Sequence, residues 1–457
     1  MIPKYWYAAF VFVTLSLASC NNKNYQDFLN EGNDYFFKQK YEQAIASYDK
    51  AIAIKPNDYD AWYNRGIALN ESQRYSEAIA SYDKVIAIKP DKYQAWNNRG
   101  MALNELQRYS EAIASYDKSI AIKPDEYQVW NNRGIALDGL QRYSEAIASY
   151  DKAIAIKPDD HDAWNGRGVV LDELQRYSEA IVSYDKAIAI KPDDHDAWYN
   201  RGSALNELQR YSEAIASYDK AIAIKPDKYQ AWNARGGVLE KLQRYSEALA
   251  SYDKSIAIKS DKYQVWYDRG SILEKLQRYS EAIASYDKSI ALKPDSYEAW
   301  NARGESLWDL KQYNDAIASF NKALAIKPDY YEVWYNRGVS LQKLQRYSEA
   351  IASYDKALVI KPNLDQAWYN RGASLQKLQR YSEAIASYNR AIAIKQDLHQ
   401  AYYNKACSYA LQSNLELAIQ NLDKAIKLVP DKYKKLAKTD PDFSKVRSEK
   451  QFQELLQ

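Results

Sequence analysis

Residues that carry metal, redox and acid–base chemistry are scarce in this sequence of 457 residues. It has two cysteines, Cys20 and Cys407, and three histidines, His161, His195 and His399. Because the two cysteines lie at opposite ends of the chain, they do not form a disulfide framework. Each histidine occupies the same place in a repeating pattern, where most copies have Tyr. We interpret these histidines as exchangeable surface residues, neither metal ligands nor catalytic bases.

The sequence also lacks an excess of charge of either sign. It has 63 Lys and Arg residues against 60 Asp and Glu residues, so no concentrated basic face for a nucleic acid is expected. No nucleophile–base pair and no cluster of metal ligands stands out in the pattern. The sequence therefore predicts a non-enzymatic protein with no catalytic residues, no metal, no cofactor, no small-molecule substrate and no nucleic-acid partner.

The first twenty residues differ from the rest of the chain. Lys4 supplies one positive charge, and the stretch from Tyr5 to Ala18 is apolar apart from Thr14 and Ser16. This run is shorter than the ~20 residues that a membrane-spanning helix needs. A charged start, a short apolar run and small residues are typical of a secretory signal peptide, which we predict over residues 1–19.

The end of this stretch, Leu17-Ala18-Ser19-Cys20, resembles the lipobox of bacterial lipoproteins. The resemblance implies cleavage before Cys20, lipidation of Cys20 and anchoring in a bacterial cell envelope, facing the periplasm or the exterior. Residues 20–27 would then form the lipidated residue and a short linker. An ordinary signal peptide with a chance cysteine, or an uncleaved anchor, is the alternative.

One pattern of 34 residues fills most of the chain. The unit that contains Trp62 places Trp62, Gly66 and Leu69 on one face of a helix. Tyr75, Ala78, Tyr82 and Val85 continue on one face of a second helix, for which Ser76 is the predicted N-cap. Pro90 closes the unit, because proline cannot continue a helix. The conserved tryptophans are Trp62, Trp96, Trp130, Trp164, Trp198, Trp232, Trp266, Trp300, Trp334 and Trp368.

The spacing and the ladder of Trp62, Gly66, Ala78, Tyr82 and Pro90 resemble the tetratricopeptide repeat. The resemblance implies an all-α fold, a right-handed solenoid of about twelve antiparallel helix pairs. We place twelve units of 34 residues over residues 28–435 and a C-terminal capping helix over residues 436–457. Terminal repeats need a cover with a polar outer face, which supports the cap.

Asparagine recurs two residues after the conserved aromatic residue. In the tetratricopeptide family this stripe of the first helix lines a concave, peptide-binding groove. An Asn amide both donates and accepts hydrogen bonds, so a row of them suits a peptide backbone. The alternative is that Asn is simply tolerated on a wet helix face. The predicted peptide-binding residues are Asn64, Asn98, Asn132, Asn200, Asn336, Asn370 and Asn404.

These features lead to one main hypothesis and one alternative. The main hypothesis is a lipid-anchored scaffold that binds proteins or peptides in its groove and assists assembly of envelope complexes, held at the membrane through Cys20. The alternative is a structural spacer or self-associating array without a dedicated ligand, since the repeats are nearly identical. Cys407 replaces groove residues such as Ile67 and is expected to be a small buried filler.

Overall fold

The computed structural model describes residues 24–457, and helices make up the regular secondary structure of that range, which contains no strand. The expected all-α architecture of twelve helix pairs and a C-terminal cap is confirmed there. None of these helices combines the length and the apolar composition that a membrane span requires. The predicted signal peptide, residues 1–19, and the predicted lipidation site, Cys20, lie outside the described residues.

The first compact unit, Met1–Pro226, contains six helix pairs. In chain order they are α1 (Tyr25–Phe37) and α2 (Tyr41–Ile54), α3 (Tyr59–Glu71) and α4 (Tyr75–Ile88), α5 (Tyr93–Glu105) and α6 (Tyr109–Ile122), α7 (Tyr127–Gly139) and α8 (Tyr143–Ile156), α9 (His161–Glu173) and α10 (Tyr177–Ile190), α11 (His195–Glu207) and α12 (Tyr211–Ile224).

The second compact unit, Asp227–Gln457, contains six more pairs and the cap. The pairs are α13 (Tyr229–Lys241) and α14 (Tyr245–Ile258), α15 (Tyr263–Lys275) and α16 (Tyr279–Leu292), α17 (Tyr297–Asp309) and α18 (Tyr313–Ile326), α19 (Tyr331–Lys343) and α20 (Tyr347–Ile360), α21 (Asp365–Lys377) and α22 (Tyr381–Ile394), α23 (His399–Leu411) and α24 (Leu415–Leu428). The cap comprises α25 (Pro430–Thr439), a 3₁₀ turn (Pro441–Phe443) and α26 (Lys450–Leu455).

Within each pair, the conserved glycine allows the two helices to approach closely. A Cβ atom added at Gly66 would lie 2.5 Å from Cε1 of Tyr82, whose side chain is 1% exposed. The last pair fills the same space differently: Ala406 replaces the glycine, Leu422 replaces the tyrosine, and both are fully buried. The buried ring at the tyrosine position therefore requires glycine at the facing position of the first helix.

The turn inside each repeat is closed by backbone hydrogen bonds. Gln73 has φ 61°, its N–H donates to the Asn70 carbonyl (2.9 Å), and the N–H of Arg74 donates to the Leu69 carbonyl (2.8 Å). This is a Schellman motif with glutamine where glycine is usual. The prediction of Ser76 as an N-cap was wrong: α4 begins at Tyr75, so Ser76 is its second residue.

Neighbouring repeats are joined through the arginine before each glycine. Arg65 donates from Nε to Asp49 of the preceding repeat (2.6 Å) and from Nη1 to Ser81 of its own repeat (2.7 Å). Its side chain is 17% exposed, as expected for a stem that packs while the guanidinium reaches an acidic neighbour. Arg337 meets Asn321 in place of the aspartate.

The cap covers the last helix pair. The rings of Tyr403 and Tyr433 stack with their centroids 4.7 Å apart, and Phe443 and Phe452 are fully buried. Val446 is also buried, at 3% exposure. These residues therefore pack against the final repeat and shield it from water, whereas Leu436 is 40% exposed.

Candidate functional site

The predicted asparagines share one surface with three other positions of the first helix of each repeat. We use the name asparagine face for the surface formed by four residues of each repeat, which lie one, two, five and eight positions after the conserved aromatic residue. In the repeat of Trp62 these are Tyr63, Asn64, Ile67 and Asn70. All but Asn70 and its equivalents lie in the first two and a half turns of the helix, which places them in register from repeat to repeat.

Each predicted asparagine donates an amide N–H to the preceding repeat, and the acceptor lies one or five positions after that repeat's aromatic residue. An amide has two N–H donors and one carbonyl oxygen, so part of its capacity already joins repeats. The bonds are Asn64 to Asn33 (3.2 Å), Asn98 to Tyr63 (3.2 Å), Asn132 to Asn97 (3.1 Å), Asn200 to Asn165 (3.3 Å), Asn336 to Glu305 (2.9 Å), Asn370 to Tyr335 (3.1 Å) and Asn404 to Tyr369 (3.1 Å).

The position directly after the aromatic residue was not among the predicted binding residues. Only Tyr and Asn occur there in the repeats from Trp62 onward, for example Tyr63 and Asn97, and this restriction to hydrogen-bonding side chains was a signal in the sequence. Burial raises the pKa of Tyr63, whose hydroxyl accepts from Asn98. The position therefore belongs to the same polar row as the asparagines.

Several buried polar atoms of this face have no hydrogen-bond partner among residues 24–457. They include the Oδ1 atoms of Asn70 and Asn104, eight positions after the aromatic residue, and those of Asn131, Asn233 and Asn301, one position after it. A buried carbonyl oxygen without a partner is costly, so such atoms call for an external donor. A peptide N–H meets that requirement.

Four of the predicted asparagines line clefts. Asn64 lines one of about 280 Å³ and Asn132 one of about 310 Å³, both in the first unit. Asn336 lines one of about 510 Å³ and Asn370 one of about 500 Å³, both in the second unit. Asn98, Asn200 and Asn404 line none of these four clefts.

The chain itself occupies the asparagine face of its last repeats. The Tyr403 hydroxyl donates to Asp440 (2.7 Å), and Nε2 of Gln376 donates to Asp442 (2.9 Å). Tyr403 follows the aromatic residue by one position and Gln376 by eight. Phe443 packs edge-on against Tyr403, with ring centroids 5.7 Å apart. The face thus holds a 3₁₀ turn and its N-cap, Asp440, by side-chain hydrogen bonds and one aromatic contact.

Two groups of side chains in the described range have metal-ligand chemistry. Asp160, His161 and Asp162 are adjacent in sequence at the start of α9. In the other group, Cys407, Asp440 and Asp442, both carboxylates already accept hydrogen bonds from the repeat, and burial raises the pKa of Cys407 well above its usual value. Cys407 is 1% exposed, in agreement with its predicted role as a buried filler.

Comparison with protein families identifies the repeat. Sequence models described as "Tetratricopeptide repeat" match almost the whole helical array. The matched residues are 29–93, 131–195, 225–263 and 267–331 with one model, 93–126, 195–228, 331–364 and 366–398 with a second, and 399–432 with a third.

Solved structures with a similar fold share little sequence identity with this chain. YrrB, described as a TPR protein with an unusual peptide-binding site, is 24% identical over 40% of this chain and 95% of its own, with a TM-score of 0.38. MamA is 23% identical over 36% and 96%, with a TM-score of 0.35. A tetratricopeptide repeat protein from Parabacteroides merdae is 17% identical over 55% and 98%, with a TM-score of 0.40.

The comparison with curated proteins finds no match. The family models, in contrast, match more than half of the chain. The chain belongs to the tetratricopeptide repeat family.

Proposed function

We propose that this protein is an interaction scaffold that binds segments of other proteins on its asparagine face. The observation that carries the proposal is the docking of the chain's own Asp440–Phe443 segment on that face, through Tyr403 and Gln376. The same two positions recur along the array. In earlier repeats they present buried carbonyl oxygens without partners, such as those of Asn70 and Asn104.

Binding is expected to be the sum of many modest contacts. A hydrogen bond between neutral groups contributes about 0.5–1.5 kcal/mol net, so a single substitution on the face has a small effect. Asn64, Asn98 and Asn132 also join repeats, and replacing them would disturb the stack as well as a ligand. Asn70 and Asn104 are the better test, because their Oδ1 atoms make no hydrogen bond to any residue that the structure describes.

The test is capture of partners from envelope extracts by the purified array, with crosslinking and mass spectrometry. The double variant Asn70→Ala and Asn104→Ala should lose specific partners. The control Lys84→Ala and Lys118→Ala changes exposed residues of the second helices α4 and α6 and should retain them. Recovery of only other copies of this chain would instead identify a self-associating array or a spacer.

We further propose that the array is held at a bacterial envelope membrane by a lipid on Cys20. The lipobox-like residues Leu17 to Cys20 support this, as does the short distance, four residues, between Cys20 and the start of α1 at Tyr25. Two or more acyl chains give stable anchoring, whereas one gives marginal binding. From that position the scaffold would face the periplasm or the exterior and serve the assembly of envelope complexes.

Fractionation and intact mass test the anchor. Cys20→Ser should move the protein from the membrane fraction to a soluble or unprocessed form and abolish the added lipid mass. Cys407→Ala is the matched control, since it removes the other cysteine of the chain and should leave fractionation unchanged. Unaltered fractionation and mass in Cys20→Ser would exclude lipidation.

A further inference from the structure

The repeat formed by α17 and α18 departs from the others on the asparagine face. Trp308 stands eight positions after Trp300, where the other repeats that begin with Trp have Asn, Asp, Glu or Gln. Glu305 stands five positions after it, where they have apolar or small residues. The cleft of about 510 Å³ lies at this repeat, between α15, α17 and α19.

Part of the lining of this cleft is apolar or aromatic: Trp308, Tyr335, Val339 and the ring of Phe320. Phe320 is fully buried and is the one ring at its position in the array that lacks a hydroxyl group. These side chains offer a surface for an aliphatic chain, and their aromatic faces also attract cations.

The lining also contains three carboxylates and one lysine. Glu274 accepts a hydrogen bond from Ser306, Glu305 accepts one from Asn336 (2.9 Å), and Asp309 lies beside them. Lys275 is the cation that lines this cleft, so negative charge is in excess. Desolvation raises the pKa of all three carboxyl groups, and an added cation would oppose that effect.

The indole N–H of Trp308 is buried and has no acceptor among the described residues. A tryptophan N–H can only donate, so its missing partner is an oxygen acceptor such as a peptide carbonyl. The cleft lining therefore combines a donor for a backbone carbonyl, apolar side chains and an excess of carboxylates. A basic residue within a peptide has the matching groups: a carbonyl, an aliphatic stem and a cationic head.

We propose that this cleft binds the side chain of a lysine or arginine in an extended segment of a partner protein, with the backbone carbonyl on Trp308 and the cation between Glu274 and Glu305. The inference rests on the proposed function, because it assumes a peptide on the asparagine face. It adds a specificity: the partner carries a basic residue where it crosses α17.

The test uses ¹⁹F NMR of the full chain labelled with 5-fluorotryptophan. The Trp308 resonance is assigned by its loss in Trp308→Phe. The probe is the peptide acetyl-Ala-Ala-Lys-Ala-Ala-amide, and its control has norleucine in place of lysine. The lysine peptide should shift the Trp308 resonance at concentrations up to about 10 mM, and the norleucine peptide should not.

Glu305→Gln should weaken binding of the lysine peptide about tenfold, since the ion pair with the lysine ammonium is replaced by a hydrogen bond from the same cation to a neutral amide oxygen. Glu105→Gln changes a carboxylate near the asparagine face of another repeat and should have no effect. A Trp308 resonance that ignores the lysine peptide, or that responds equally to norleucine, would overturn the inference.

Partner capture separates the two proposals. If Asn70→Ala with Asn104→Ala abolishes capture while the lysine peptide leaves Trp308 unaffected, the scaffold function stands and the basic-residue cleft is wrong. If the lysine peptide shifts Trp308 but the array captures no partner, the cleft is supported and the scaffold function is not.

Discussion

Two adjacent glycines in α13 provide a sharp test of how the helix pairs are packed. A Cβ atom added at Gly236 would lie 2.7 Å from Cε1 of Tyr252, whereas one added at Gly237 would meet only the Tyr252 hydroxyl oxygen, at 3.8 Å. Carbon atoms prefer separations of about 3.5–4.0 Å, so the buried ring would have to move by about 1 Å in the first case alone.

Both alanine variants gain the same backbone contribution to the free energy of unfolding. Replacing glycine by alanine inside a helix stabilises it by about 0.5–1 kcal/mol. Overpacking a close-packed core costs about 1–3 kcal/mol. We therefore expect Gly237→Ala to stabilise the protein slightly and Gly236→Ala to destabilise it, with a difference between them of about 1–3 kcal/mol.

The assay is hydrogen exchange of peptides that cover α13 and α14, because a repeat array does not have to unfold as one cooperative unit. Gly236→Ala should lower protection there and Gly237→Ala should not. Adding Tyr252→Leu to Gly236→Ala should restore part of the protection, since the Ala406 and Leu422 pair already packs in this way. Equal protection in the two single variants would refute the steric reasoning.

Two further predictions concern charges between and within repeats. Arg337 donates to the neutral Asn321 (2.7 Å), and burial lowers the pKa of Arg337. Asn321→Asp should therefore restore the ion pair of the other repeats and raise the free energy of urea unfolding by about 0.5–1 kcal/mol, and 1 M salt should reduce this increase. Burial raises the pKa of Asp268 to about 6, so its ionised form destabilises the fold increasingly as pH rises from about 4 to 6. Asp268→Asn should therefore stabilise the protein by about 1–2 kcal/mol at pH 7.5 and have little effect at pH 4, and equal effects at both pH values would contradict this.

Much of the fold followed from spacing, because spacing determines which side chains share a helix face. Trp62, Gly66 and Leu69 predicted the first helix of the unit, and Tyr75, Ala78, Tyr82 and Val85 predicted the second. The turn was harder to predict. Glutamine at a positive φ angle costs about 1 kcal/mol or more, so Gln73 does not signal a helix end as glycine would.

The candidate site was predicted in outline only. The asparagines were found because an amide repeated at one helical position is conspicuous in the sequence. Their bonds to Tyr63 or Asn97 in the preceding repeat depend on how repeats stack, which a single unit does not reveal. Trp308 was overlooked because it lies outside the 34-residue pattern of tryptophans and is found at its position in one repeat alone. Its place in the cleft, which the sequence does not reveal, is what suggests a role in binding.

The contact between Asp442 and Gln376 closes the asparagine face at the C-terminal end of the array. A partner chain that followed the asparagine face of the second unit would meet the segment Asp440–Phe443 at Tyr403 and could extend no further. The number of repeats before this stop then determines how many clefts a bound chain can reach. Gain or loss of one 34-residue unit would lengthen or shorten the bound segment of the partner by the part that one repeat contacts. The contacts that the other repeats make would stay the same.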